Sequence, residues 1–258
     1  MSTPVVVLTG ASKGIGLAVA RSLLDEHNAS VVALSRTRTK ELTDLCEKHT
    51  SSLLFIACDV TDEKGLTQAI AQAQETYQRI DGLILNAGTL DPLGRIDNPS
   101  NTLDSWRYHF DVNVFSLVTA LKAALPALRK SKSGGRIVFL SSGAATGSTP
   151  GWSTYNAGKA AVNSLCRTLS KEEPNIVSLA LAPGKVDTDM QAILRSTGAA
   201  HMTKEDHDVF VNVHKEGQLV NPHDVGYAIA SLCLRAPLSM SGQYVRWDSD
   251  ACKDFRRE

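Results

Sequence analysis

An excess of either charge is the plainest thing this chain lacks. Its 27 Lys and Arg balance 27 Asp and Glu. Neither a nucleic-acid footprint nor attraction to an anionic membrane is therefore written in the composition. Cysteine is sparse and unpatterned: Cys46, Cys58, Cys166, Cys233 and Cys252, with no C-x-x-C pair. An odd, scattered set argues for free thiols in a reducing compartment and against a zinc or other metal site. No uninterrupted apolar run approaches the ~18 residues of a membrane span. No apolar leader precedes the first strand-like run, so the cytoplasm is the expected compartment. Repeats, low-complexity segments and internal linkers are also missing. What is there is an ordinary globular composition, 43% hydrophobic and 21% charged over 258 residues. That is enough for one α/β domain, 1–258, with a large core.

Short apolar runs alternate with helical periodicity. Strands are expected at Pro4 to Thr9, Ser30 to Leu34, Leu53 to Ala57, Gly82 to Leu85, Arg136 to Ser141, Asn175 to Leu181 and Gln243 to Trp247. Helices are expected at Ile15 to Leu24, Thr39 to His49, Glu63 to Gln78, Thr102 to Lys130, from just before Tyr155 to Lys171, and Pro222 to Leu234. This β-α alternation with short turns predicts a parallel sheet with helices on both faces. Asn113 is a poor mid-helix residue, which suggests a bound water or a kink. The segment at about 187–218 is polar and mixed, a candidate lid over a ligand. Asp248 to Glu258 reads as a charged tail.

The first strand runs into T-G-A-S-K-G-I-G. Strand, glycine turn and helix is the context a pyrophosphate-binding loop needs. The loop offers Gly10, Ser12, Lys13, Gly14, Ile15 and Gly16 to a dinucleotide. At the end of the second strand an acid would hold the ribose of NAD. Ser35 stands there instead, followed by Arg36, so no carboxylate repels a 2′-phosphate and a guanidinium can pair with it. Lys13 adds a second cation, and NADPH is favoured over NADH. Asp59, beside Val60 at the end of the third strand, is placed to accept from the adenine amino group. A turn aspartate is the competing reading. Asn86, Ala87 and Gly88 end the fourth strand with small residues that let a cofactor lie close to the backbone.

Tyr155 and Lys159 are four residues apart, one helical turn on one face. An ammonium there would lower the phenol from its ordinary ~10 and fit it for acid–base work. Ser142 follows an apolar strand and points a hydroxyl into the crevice where such sheets bind ligands.

Taken together, T-G-x-x-x-G-x-G, Asp59, N-A-G, Asn113, Ser142, Y-x-x-x-K and P-G-x-V-x-T at Pro183 to Thr188 resemble the short-chain dehydrogenase/reductase family along nearly the whole chain. Finer stretches (D-V-N-V-F-S, F-L-S-S-G-A, G-W-S-T-Y) are similar to fungal carbonyl reductases of the benzil reductase type, themselves related to sepiapterin reductases. The resemblance implies a single-domain, doubly wound, Rossmann-like seven-stranded sheet. It implies Tyr155 as general acid, Lys159 lowering its pKa and holding the nicotinamide ribose, Ser142 orienting a small-molecule carbonyl substrate, and Asn113 holding a relay water. Pro183, Gly184, Val186 and Thr188 would face the nicotinamide. A homodimer or homotetramer through the helices at Thr102 to Lys130 and Ser153 to Ser170 is implied as well. Gly158, where the family often has Ser, is expected to matter little. Arg246, where sepiapterin reductases carry an acid, disfavours a pterin. Trp152, Met190 and Met202 suit a flat apolar substrate. An NAD-dependent alcohol dehydrogenase and a silent dinucleotide-binding regulator are the alternatives.

Overall fold

The computed structural model describes residues 3–257. Met1, Ser2 and Glu258, the ends of the expected 1–258 domain, lie outside the described residues. The apolar runs form strands because both of their faces are covered. In β1 (Val5–Thr9), Val5 and Val7 enter one helical layer while Val6 and Leu8 enter the other. That is how a short run apolar at every position satisfies a period of two. β2 (Ser30–Ser35), β4 (Gly82–Leu85) and β6 (Val177–Ala182) are buried throughout, and β5 (Arg136–Leu140) nearly so. β3 (Leu53–Ala57) and β7 (Tyr244–Arg246) form the partly exposed edges. Among the described residues these seven make one parallel sheet in the order β3-β2-β1-β4-β5-β6-β7. The order reverses between β1 and β4, and the crevice at the carboxyl ends there is where such sheets take ligands.

Helices α1 (Gly14–Asp25), α2 (Lys40–Lys48) and α9 (Pro222–Arg235) cover one face. On the other lie α3 (Glu63–Tyr77), α5 (Ser116–Leu128) and α6 (Ser153–Glu172). α4 (Leu103–Phe110) runs into α5 through one π-type turn, Asp111–Phe115, which contains Asn113. The expected kink is therefore a widened turn. The run Leu103–Leu128 is 26 residues long with a best-window mean hydropathy of 1.3, long and apolar enough to span a membrane by length and composition. This differs from the sequence expectation because a window average tolerates interspersed polar residues that an unbroken run does not. Half of that window is buried, with Leu117, Ala120, Leu121 and Ala124 packed on the sheet as in a core helix.

Two other segments are more ordered than their composition suggested. The 187–218 stretch folds as α7 (Asp189–Thr197) and α8 (Lys204–Lys215), the latter N-capped by Thr203. Its two ends are joined by a parallel bridge between Val186 and Val220. The described part of the charged tail docks: Cys252 is buried, Phe255 packs against the core and Arg257 pairs with Glu26 at 2.5 Å. Its charges face outward while two apolar residues anchor it.

Candidate active site

The glycine loop is a cradle with no room for side chains. At Gly14, φ is +52° and a Cβ would meet Thr188 Cγ2 at 3.2 Å. At Gly16 a Cβ would lie 2.1 Å from the Gly10 carbonyl oxygen, so no larger residue fits without moving the loop. No side chain caps α1, which leaves the positive end of the helix facing the crevice. The loop is braced from the end of β4. Asn86 Nδ2 donates to the carbonyls of Thr9 (2.9 Å) and Gly10 (3.0 Å), and Thr9 Oγ1 accepts from the N–H groups of Asn86 (3.0 Å) and Ala87 (3.1 Å). The Asn86 amide nitrogen thus holds the loop. Thr39 Oγ1 ties Ser12 to α2 at 2.8 Å, and Ile15 packs into the core.

Both candidate phosphate cations already have partners. Lys13 Nζ ion-pairs with Asp189 at 2.7 Å, both exposed, and Arg36 Nη1 donates to the Tyr108 hydroxyl at 3.4 Å. Ser35 Oγ donates to the Thr37 carbonyl at 2.9 Å. Asp59 Oδ1 accepts from Thr61 N–H (3.0 Å) and Thr61 Oγ1 (2.8 Å), an Asx-turn that uses one of its two carboxylate oxygens, while Val60 packs against the core.

At the far side of the crevice, α6 carries Tyr155 and Lys159, both buried. Lys159 Nζ lies 5.6 Å from the centre of the Tyr155 ring and donates to the Leu140 carbonyl at 2.7 Å. Tyr155 hydrogen-bonds to Ser142, whose Oγ also accepts from Ala144 N–H at 3.1 Å. The electrostatics correct the sequence expectation. Burial pushes the Tyr155 phenol above its ordinary value, the Ser142 bond pulls it part of the way back, and Lys159 is not among the causes. Burial also lowers the Lys159 amine to about 8. Dehydration of both groups outweighs their mutual effect.

Asn113 is held on three sides. Its Oδ1 accepts from Thr89 N–H (3.0 Å), and its Nδ2 donates to Thr89 O (2.8 Å) and His109 Nε2 (2.9 Å). A Cβ at Gly88 would come within 2.8 Å of Asn113 Oδ1 and 3.9 Å of Lys159 Nζ, so that glycine keeps open the gap between them. Sequence reasoning missed His109. The signal was available: it stands four residues before Asn113, the same one-turn spacing that drew notice to Tyr155 and Lys159.

Gly184 is left-handed (φ +78°) and Pro183 precedes it. Val186 is buried, and its flanking residues, Lys185 and Asp187, make the bonds to Val220. In a parallel bridge that turns Val186's own N–H and C=O the other way, where its carbonyl accepts from Thr188 Oγ1 at 3.2 Å. Above Tyr155 lies an apolar cluster separate from the main core: Leu90, Ala144, Trp152, Leu194, Met202 and Phe210, with Leu93 and Met190 at its margin. The Trp152 ring stands edge-on to Tyr155 (5.7 Å, 89°) and leans on Phe210 (5.4 Å). Arg246 is exposed and paired with Asp248 at 2.8 Å. Among the described residues no cluster of metal-ligating side chains occurs.

A parallel sheet with its glycine cradle and hydroxyl pair at the switch point marks a dinucleotide-dependent oxidoreductase. Residues 4–199 match the sequence profile of the short chain dehydrogenases, and the chain belongs to the short-chain dehydrogenase/reductase family. Among its relatives are an uncharacterized oxidoreductase of Schizosaccharomyces pombe, 42% identical over 95% of this chain and 96% of that protein, and an (S)-benzoin-forming benzil reductase of Saccharomyces cerevisiae, 33% identical over 95% and 96%. The crystal structure of the enzyme KRED1-Pglu superposes with a TM-score of 0.89 at 38% identity, covering 94% of this chain and 100% of that one. Membership implies a nicotinamide dinucleotide, and the side-chain-free cradle at Gly14 and Gly16 under an uncapped helix end fits its pyrophosphate.

Proposed function

We propose that this chain is an NADPH-dependent carbonyl reductase acting on ketones or α-diketones with bulky apolar or aromatic substituents. The observation that carries this reading is the Ser142–Tyr155 hydroxyl pair, Tyr155 buried and Ser142 half-buried, with Lys159 beside it, beneath the apolar cluster of Trp152, Met202 and Phe210. A bound nicotinamide supplies the hydride. Charge then develops on the carbonyl oxygen, and donors aimed at that oxygen act mainly in the transition state. Ser142 accepts the Ala144 N–H, which leaves its own proton to donate. Tyr155 gives up its phenolic proton as the new O–H bond forms on the substrate. The upward pKa shift suits this direction: reduction needs a neutral phenol, whereas oxidation would need the phenolate. An alkoxide is a far stronger base than a phenolate, so the transfer still runs downhill. Lys159 would hold the ribose hydroxyls of a bound dinucleotide and return a proton to Tyr155, with Asn113 and the gap at Gly88 on the path to solvent. Val186 and Thr188 would meet its carboxamide.

Arg36 and Lys13, with no acid at the end of β2, support a 2′-phosphate. The existing partners of both cations, Tyr108 and Asp189, favour the second reading, an NAD-dependent alcohol dehydrogenase. Dissociation constants for NADPH and NADH decide between them. The similarity to benzil reductases and the Trp152–Phe210 surface support an aromatic dicarbonyl. NADPH oxidation with benzil and small diketones is the direct assay. Tyr155→Phe should lower kcat/KM by about 10²- to 10⁴-fold while NADP⁺ binding is retained. Wild-type turnover by this variant would remove Tyr155 from the reaction.

A further inference from the structure

His109 is fully buried. Its tautomer follows from its neighbours. Thr89 N–H must meet the oxygen of Asn113, so the amide nitrogen of Asn113 faces His109 and donates to Nε2 at 2.9 Å. Nε2 is then an acceptor, and the ring proton sits on Nδ1 and is donated to the Asp91 carbonyl at 2.7 Å. The ring also stands edge-on to Tyr155 (6.1 Å, 85°). A Cβ at position 158 would lie 3.0 Å from His109 Nε2. Gly158 is therefore not a neutral departure from the family's usual Ser: it makes room for this imidazole.

We infer that His109 is a positioning residue, joining the 89–101 loop, the Asn113 turn and the Tyr155 helix, and that the site works only while its ring is neutral. This rests on the carbonyl-reductase reading of Tyr155 and Asn113. Protonation would place an N–H on Nε2 against the N–H of Asn113. One of the two must turn, and the Asn113–Thr89 pair goes with it. The groups facing the ring are the Lys159 ammonium and the Tyr155 edge from α6, Phe110 from its own helix and Asp91 from the loop. Burial, the largest effect, disfavours the charged ring, and Lys159 adds to it against the opposing pull of Asp91. A lowered folded-state value means that the unfolded chain binds this proton first as pH falls below about 6.5, so stability falls on the acid side.

The expected profile of kcat/KM for reduction is a bell whose two limbs have different owners. The basic limb follows loss of the Lys159 charge near 8. The acid limb belongs to His109. Glutamine at 109 can accept from Asn113 and donate to Asp91 but cannot take up a proton. His109→Gln should keep activity at neutral pH within about threefold and lose the acid limb, which lies below the ordinary imidazole value of about 6.5. His109→Phe, lacking both bonds, should lower kcat about tenfold at every pH with a smaller change in KM, and the glutamine variant should rescue it. An unchanged acid limb in His109→Gln, or wild-type kcat in His109→Phe, would overturn the inference. If Tyr155→Phe stays active, the underlying reading fails instead; if it is inactive and the acid limb persists in His109→Gln, only the role of His109 falls.

Discussion

The nucleotide side of the crevice and the substrate side are built on different principles. On the nucleotide side the polar groups satisfy one another: Thr9, Asn86 and Thr39 hold the glycine loop through backbone bonds of 2.8 to 3.1 Å, and the space is set by missing side chains. On the substrate side the contacts are apolar side chains leaning on one another. Among the described residues, the buried polar atoms without a protein partner include Trp152 Nε1, Asn156 Oδ1, Gln191 Oε1 and Arg195 Nη1, all in α6, α7 or next to them. A hydrogen-bonded backbone mould has one shape, whereas packed side chains with leftover donors and acceptors can be rearranged at lower cost. On the proposed function, the first half would dictate a cofactor class and the second would admit a range of substrates.

That contrast is broken most severely at Gly16. Gly16→Ala sets a methyl 2.1 Å from the Gly10 carbonyl. It should weaken dinucleotide binding by at least about 100-fold, measured by fluorescence titration, and lower stability by about 1–3 kcal/mol. Retained affinity would show that the mould is softer than its bonds suggest. On the other side, Phe210→Ala removes the surface on which Trp152 leans. Here KM for a bulky aromatic ketone should rise about tenfold, with little change for a small diketone and for NADPH affinity. An equal loss for both ketones would make Phe210 a general support. The smallest effect tests the tie between the halves: Asp189→Asn frees Lys13 and should tighten NADP⁺ about threefold while leaving NAD⁺ unchanged. Equal changes for the two cofactors would mean that Lys13 does not meet the 2′-phosphate.

The same division explains what could be read from the letters alone. Strands buried on both faces announce themselves as apolar runs, and glycines needed for close approach cannot be replaced, so β1 to β7 and the loop before α1 were legible within a residue or two. The segment after Thr188 was not. α7 and α8 are amphipathic helices whose apolar points, Leu194 and Phe210 with Met202 in the turn between, are too few to mark helical periodicity, and what they cover comes from distant parts of the chain. The local bonds of Asn86 and Asp59 were not legible because a bond to the nearest backbone and a bond to a ligand ask for the same residue type. One-turn spacing shows where the amine of Lys159 stands but not how dry both groups become, and burial raises the Tyr155 phenol. His109 stands one turn before its partner Asn113, but its other neighbours, Asp91 and Tyr155, lie on other elements, and that part of its setting was not legible.

The bridge between Val186 and Val220 has a consequence for how such an enzyme changes over time. Because entry and exit stand side by side, the 33 positions from 187 to 219 behave as a cassette. A replacement of different length or sequence, joined at those two valines, would leave the sheet in place so long as it keeps Thr188 and Asp189, which touch the glycine loop. New substrate ranges can then arise by exchange of one module, without renegotiating the scaffold beneath it.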